Sequence, residues 1–168
     1  AGKLTNAHKE LDTGLSAWNL AMGSQELYDW LDAEPQLFHP GDLDYIHSVE
    51  RISKLSNVIS INGGVQLDLM GQENAESTGT RQLSGIGGQM DFLEGAFRSK
   101  GGKGFICINS SRVTKDGERK SNILAAIPGG STISAPRTMI QYVATEYGIA
   151  SLSGKTLRER AEAMASIA

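Results

Sequence analysis

Apolar positions along the chain follow two different periods. Residues 57–61 (NVISI), 65–69 (VQLDL), 104–109 (GFICIN), 122–127 and 141–145 (QYVAT) are short runs rich in β-formers and bounded by Gly, Pro or Asn, which predicts strands. Residues 15–22 (LSAWNLAM) read as a further buried strand between Gly14 and Gly23. Helical spacing takes over after Ser24, an N-cap followed by Glu26, with Leu27, Trp30 and Leu31 on one face and Pro35 as the stop. It returns over 43–55, where Leu43, Ile46, Val49 or Glu50, Ile52 and Leu55 loosely follow that spacing. A helix over 88–98 would bury Met90, Phe92, Leu93 and Phe97, with Gly95 weakening it. The last helix opens on a capping box, Thr156 with Glu159, and directs Leu157, Ala161, Met164 and Ala165 inward.

Strands alternating with helices predict an α/β fold: an open, mostly parallel sheet with helices on both faces, within one domain of 168 residues. GFICIN is too apolar for a wet face, as in a sheet covered on both sides, and Cys107 in its centre reads as a buried, inert thiol. Asn62-Gly63-Gly64 makes residues 57–69 either a hairpin or one bulged strand, with 70–74 as a loop and 111–120 as a polar connector.

Charge and composition narrow the function. A net charge of −3, a pI near 5.6 and no run of Lys or Arg longer than two exclude nucleic acid and anionic membrane as main partners. A single cysteine permits no intrachain disulfide, and no apolar run approaches the roughly 18 residues of a bilayer span, so a cytoplasmic protein is expected. No metal is expected: Glu26, Asp29, Asp32 and Glu34 have the spacing of a solvated helix face, and His8, His39 and His47 lack ligand spacing. The chain opens on AGKLTN and stops at SIA within a helical pattern, which a fragment of a longer polypeptide would explain.

Chemistry concentrates in residues 62–92, which hold 7 of the 20 glycines and end in SGIGGQ ahead of a helix. Glycine brings backbone close to a ligand, and a helix N-terminus offers unpaired N–H groups to an anion or carbonyl oxygen. Gly85 and Gly87 match half of the dinucleotide fingerprint, but Met90 stands at its third glycine, so a nucleotide fold is not indicated. The alternatives are a purely structural turn, or an oxyanion site in which an N–H at Gly88 or Gln89 meets a carbonyl oxygen that gains charge. Glu146 ends an apolar strand, where open α/β sheets place ligands, although pairing with Arg137, Arg158 or Arg160 would make it structural. His47 is either beside a site or a structural histidine. Lys115 and Arg112 either meet a phosphate or are solvated.

Four segments together, ISINGGVQLDLMGQENAES, SGIGGQMDF, SKGGKGFICINSS and VATEYGIASLSGKTLRERA, resemble the C-terminal domain of the acetyl-CoA hydrolase/transferase family. That family includes acetate, butyrate, succinate and 4-hydroxybutyrate CoA-transferases. The resemblance implies a class I CoA-transferase with two related α/β domains and the active site between them. A family glutamate attacks acyl-CoA and carries CoA as a thioester; it lies in a His/Ser-x-Glu motif upstream of the AGKL-like segment, outside this chain. Position by position, Gly88 resembles the oxyanion glycine, flanked by Gly87 and Gln89 in the CoA site. Val65 lines the CoA pocket, Glu146 supports the active site, His47 falls where many members have an asparagine, and Lys115 matches a CoA-contacting lysine. Gln66 stands where many members carry an acid.

No tightly bound cofactor is then expected, with coenzyme A or acyl-CoA as substrate. Its partners would be acyl-CoA, a small carboxylate and its own N-terminal domain, with a homo-oligomer left open. The competing readings are an acyl-CoA hydrolase on the same scaffold and a non-catalytic CoA- or nucleotide-binding module.

Overall fold

The computed structural model of the chain describes residues 5–168. Its centre is a four-stranded sheet in the order Gly148–Ser151, Tyr142–Thr145, Lys103–Cys107, Ile59–Gly63. The last three run parallel, in a register that aligns Ile61, Phe105 and Tyr142, and Gly148–Ser151 returns antiparallel. The α/β class and the open, mostly parallel sheet are as the apolar pattern predicts.

Residues 57–69 form neither a hairpin nor one bulged strand. Ile59–Gly63 belongs to the central sheet, whereas Gln66–Asp68 pairs with Ile123–Leu124 in parallel and Glu73–Asn74 antiparallel. The chain changes sheets at Gly64, whose N–H still donates to Cys107 O while the next N–H, of Val65, donates to Asn74 O. A side chain at Gly64 would press on Glu73 and Ile106, so glycine is what lets the backbone pass here.

Among the described residues there are five α-helices: α1 (Gln25–Ala33), α2 (Leu43–Ile46), α3 (Val49–Lys54), α4 (Gln89–Arg98) and α5 (Leu157–Ala165). The 43–55 pattern divides into two helices because Ser48 is extended and its hydroxyl accepts the Arg51 N–H, starting α3 afresh. Gly95, unfavourable for α4 by propensity, is required by packing: a Cβ there would lie 2.4 Å from Ile52 Cγ2 of α3. The capping box of α5 forms as expected.

Leu93 of α4, Met164 of α5 and Ile167 just beyond it pack with Ile106, Val143 and Ala150 on one face of the sheet. Each such buried side chain contributes about 1.5–3 kcal/mol. The opposite face is open among the described residues. Ile61 is 69% exposed, Ile149 63% and Cys107 exposed, while Phe105 and Tyr142 stack with ring centroids 4.9 Å apart. GFICIN is thus apolar on both faces but covered on one, and the Cys107 thiol lies on the outside because its strand position alternates with buried Ile106. Phe97 and Leu157, expected inside, are also exposed. Of residues 15–22 only Ser16–Trp18 is a strand, paired parallel with Phe38–Pro40, and Leu20 and Met22 reach solvent. The 111–120 connector is a β-hairpin of Ser111–Val113 with Arg119–Ser121, and the 122–127 run is a strand only over Ile123–Leu124. Among the described residues no helix is long and apolar enough to cross a membrane, and no cluster of His, Cys, Asp and Glu is arranged for a metal ion.

Candidate active site

The SGIGGQ loop delivers the chain into α4 at the C-terminal edge of the parallel strands, the edge where open α/β sheets bind ligands. Gly87 takes φ +59°, a left-handed conformation that side chains resist, and Gly88 is the N-cap of α4 at φ −87° and ψ 8°. Among the described residues the Gly88 N–H meets no acceptor. It is an unpaired donor at the positive end of a ten-residue helix.

His47 closes over this glycine. The break between α2 and α3 places His47 at the C-cap of α2, with its N–H bonded to Leu43 O at 2.8 Å. Its ring lies so close that a Cβ at Gly88 would be 2.4 Å from Cε1 and 2.6 Å from Nδ1. Asn19 Nδ2 is 2.9 Å from Nε2. An amide nitrogen can only donate, so Nε2 accepts and the proton of the neutral ring sits on Nδ1. Nδ1 faces Asp91 Oδ2 at 3.7 Å, and Phe92 meets the ring edge-on at 5.2 Å. An open cleft of about 960 Å³ is lined by Asn19, Leu20, Gly41, Asp42, Leu43, Asp44, His47, Gly87 and Gly88. A neighbouring hollow of about 490 Å³ adds Ser48 and Asp91. Asp42 Oδ1 is occupied in capping α2 through Tyr45 N–H.

Behind the loop lies a carboxyl group that periodicity did not reveal. Glu73 is fully buried, and its Oε2 accepts from the side-chain amide of Gln89, the first residue of α4. Its other oxygen, Oε1, has no partner among the described residues. Burial pushes its carboxyl up to about 8, against the Gln89 bond, which lowers it, and with the Glu76 charge raising it further. Glu73 is therefore neutral at pH 7. Its two-residue strand is too short for a pattern to show, and a charged residue between Gln72 and Asn74 reads as loop. Asn19 and Asp91, which complete the surroundings of His47, likewise stand out only in three dimensions.

The model of the acetyl-CoA hydrolase/transferase C-terminal domain matches residues 23–168. The chain belongs to that family. It is 41% identical over its whole length to the butyryl-CoA:acetate CoA-transferase of Anaerostipes caccae, and 44% identical to a probable butyrate:acetyl-CoA coenzyme A-transferase of Syntrophomonas wolfei. In both cases it spans 37% of the relative's length. The crystal structure of RipA from Yersinia pestis superposes with a TM-score of 0.87 at 37% identity, over 98% of this chain and 36% of that one.

Within this member of the acetyl-CoA hydrolase/transferase family, the residues expected at the site fall into two groups. Gly87, Gly88 and His47 share the cleft, and Gln89 sits directly beneath it. Val65, Lys115 and Glu146 line neither hollow. Val65 is half-buried where the chain changes sheets, and Lys115 is exposed at the tip of the 111–121 hairpin. Glu146 turns the hairpin between Tyr142–Thr145 and Gly148–Ser151. Its carboxylate accepts from the Ser110 N–H at 2.9 Å and hydroxyl at 2.8 Å, bonds that hold it below the usual carboxylate range. Among the described residues no arginine hydrogen-bonds to it, although the Arg119 charge also lowers its pKa.

Proposed function

We propose that this chain is the C-terminal domain of a cytoplasmic CoA-transferase that moves CoA between an acyl-CoA and a small carboxylic acid through a glutamyl-CoA thioester. The observation that carries the reading is the Gly88 N–H, an unpaired donor at the N-terminus of α4, opening on a cleft and overlaid by His47. The Anaerostipes relative, named for butyryl-CoA and acetate, supports short acyl groups as substrates.

In this reading a glutamate outside the chain attacks the thioester carbonyl. The carbonyl oxygen gains a full negative charge in the tetrahedral intermediate, and the Gly88 N–H stabilises it; a preorganised donor of this kind contributes about 3 kcal/mol. Collapse expels the CoA thiolate and leaves an acyl-glutamyl anhydride. The thiolate then attacks the glutamyl carbonyl, releasing the free carboxylate and forming the enzyme thioester. A second carboxylate reverses both steps and leaves as the new acyl-CoA. His47 fixes the Gly88 peptide and presents Nδ1–H to the cleft side that carries Asp91. Val65, Gly87 and Gln89 line the path of CoA, Lys115 meets its phosphates, and Glu146 supports the site by anchoring Ser110. The chain alone, without the nucleophile, is inactive.

The test is exchange of CoA between butyryl-CoA and acetate by the full-length protein, with hydroxylamine or borohydride trapping of an acyl-CoA-dependent glutamyl adduct. Exchange with a trapped adduct is expected. Loss of acyl-CoA at the same rate with and without a carboxylate acceptor would replace transferase by hydrolase. Binding of CoA without turnover would leave a non-catalytic module.

A further inference from the structure

We infer that Glu73 is a positioning residue for the Gly88 donor: its carboxyl group holds the side chain of Gln89 from behind the loop, as His47 holds Gly88 from in front. This rests on the reading of Gly88 as the oxyanion donor.

The Glu73 backbone is fixed on both edges. It pairs with Leu67, its N–H donates to Ala135 O at 3.0 Å, and its carbonyl accepts the Ser134 N–H at 2.8 Å. From this anchor Oε2 receives the Gln89 amide, and Gln89 is itself buried. A hydrogen-bonded side chain at the first helical position restrains the Gly88–Gln89 peptide, and through the Gly88 Cα it limits the turning of the adjoining Gly87–Gly88 peptide, which carries the Gly88 N–H. That restraint matters because glycines at 85, 87 and 88 otherwise leave the loop free to turn.

Stability does not account for the group. A buried carboxyl with an unpartnered oxygen and no cation is costly, and an apolar side chain of the same size would serve packing better. Among the described residues the groups around it supply no counter-charge. From α4 comes the neutral Gln89, and from the Gln66–Asp68 strand Leu67 stands opposite. The Asp68 carboxylate is occupied by the Met70 and Gln72 N–H groups and the Gln72 amide. The 134–135 segment offers backbone bonds to it, and Glu76 adds a like charge. Neutral, the carboxyl accepts from Gln89 and tolerates burial. Ionised, it binds the Gln89 amide more strongly but stands dry and without a counter-charge, so its surroundings must open to water, and that opening, not loss of the bond, loosens the loop.

The experiment compares wild type, Glu73→Gln and Glu73→Leu in the full-length protein. Gln keeps an acceptor for the Gln89 amide and cannot ionise; Leu keeps the volume and removes the acceptor. Wild-type kcat should fall on an alkaline limb centred near 8. Glu73→Gln should stay within about threefold of wild type at neutral pH and lack that limb. Glu73→Leu should lower kcat by about tenfold or more with KM little changed, since misplacing a reacting group costs rate rather than ground-state binding. An alkaline limb unchanged in Glu73→Gln, or full kcat in Glu73→Leu, overturns the assignment.

Hydrogen–deuterium exchange over residues 85–92 supplies a readout that needs no activity. At one alkaline pH the wild type should exchange faster than Glu73→Gln, and equal rates count against the inference. If exchange responds while the protein shows no CoA transfer, the functional reading fails and the positioning role stands. If CoA transfer depends on Gly88 but neither the limb nor exchange responds to Glu73, the positioning role fails alone.

Discussion

The imidazole of His47 stands where a side chain at position 88 would have to go, since a Cβ built on Gly88 falls 2.4 Å from its Cε1. Of the three glycines within these four residues, two are therefore needed, for different reasons. Gly88→Ala must displace His47 or the loop, and should cost about 2 kcal/mol or more along with CoA transfer. Gly87→Ala has open space around it but φ +59°, and should cost about 1 kcal/mol. Gly85→Ala has neither obstacle and should leave stability within about 0.5 kcal/mol of wild type. Urea unfolding of the three variants checks the order. His47→Ala in the Gly88→Ala background should recover most of the lost stability, because the clash is with that ring; strictly additive losses would refute this account.

Stability should also report on Glu73. The folded chain keeps a carboxyl proton up to about 8, whereas the unfolded chain releases it near 4.5. The folded state thus binds more protons between those values, so this group's contribution falls as pH rises from 4.5 to about 8 and is level beyond. The slope is on the order of 1 kcal/mol per pH unit in that window. Glu73→Gln removes the ionisation, so the difference in stability between variant and wild type should widen in the variant's favour as pH rises through the window. Denaturant midpoints at several pH values measure it; a constant difference would mean that the buried carboxyl titrates normally.

How far the sequence foretold these features depends on the distance over which each is decided. The α5 capping box, the start of α4 at Gly88 and the parallel strands are set by neighbouring residues or by simple alternation, and all are legible. Gly95 looked like a flaw in α4 because its reason, Ile52, lies on another helix. The Asn19 to His47 contact joins residues 28 apart, and Glu73 is buried only because Gln89 and the 134–135 backbone meet it. Cys107 illustrates a different limit. Its strand is apolar on both sides, and alternation identifies two faces without saying which of them the chain covers.

Glu146 offers a test of whether a carboxylate at the sheet edge acts by itself or through a tether. Both of its oxygens are engaged by Ser110, whose N–H and hydroxyl bonds lower its pKa. The sign follows directly: the contribution is present above the ordinary carboxyl value and is lost as pH falls through the depressed one. If the tether is the whole role, Ser110→Ala, which keeps the N–H bond, should impair CoA transfer less than Glu146→Ala, and the double variant should be no worse than Glu146→Ala. Glu146→Gln keeps an acceptor for Ser110, so a loss of kcat there as deep as in Glu146→Ala would give the carboxylate charge a part of its own.

Asp12 ties the residues before α1 to α2 and α3, and its loss should loosen the wall that carries His47. Its Oδ1 accepts from Tyr45 Oη at 2.8 Å and His39 Nδ1 at 3.0 Å, and its Oδ2 from Arg51 at 2.9 Å. Arg51 in turn lies 3.4 Å over the Tyr45 ring. Burial by itself would raise the Asp12 pKa, but the bonds from Tyr45, His39 and Arg51 prevail and lower it. Its stabilisation is therefore complete above the ordinary value of 3.8 and is lost as pH falls through the lower folded value. Asp12→Asn keeps the shape and removes the charge that three donors share, so it should cost about 2 kcal/mol near neutral pH. The cost should shrink towards zero in acid, where the wild-type carboxylate is itself protonated. Acid and urea unfolding of the pair decide it: a cost that stays the same in acid would show that shape, rather than charge, holds the hub together.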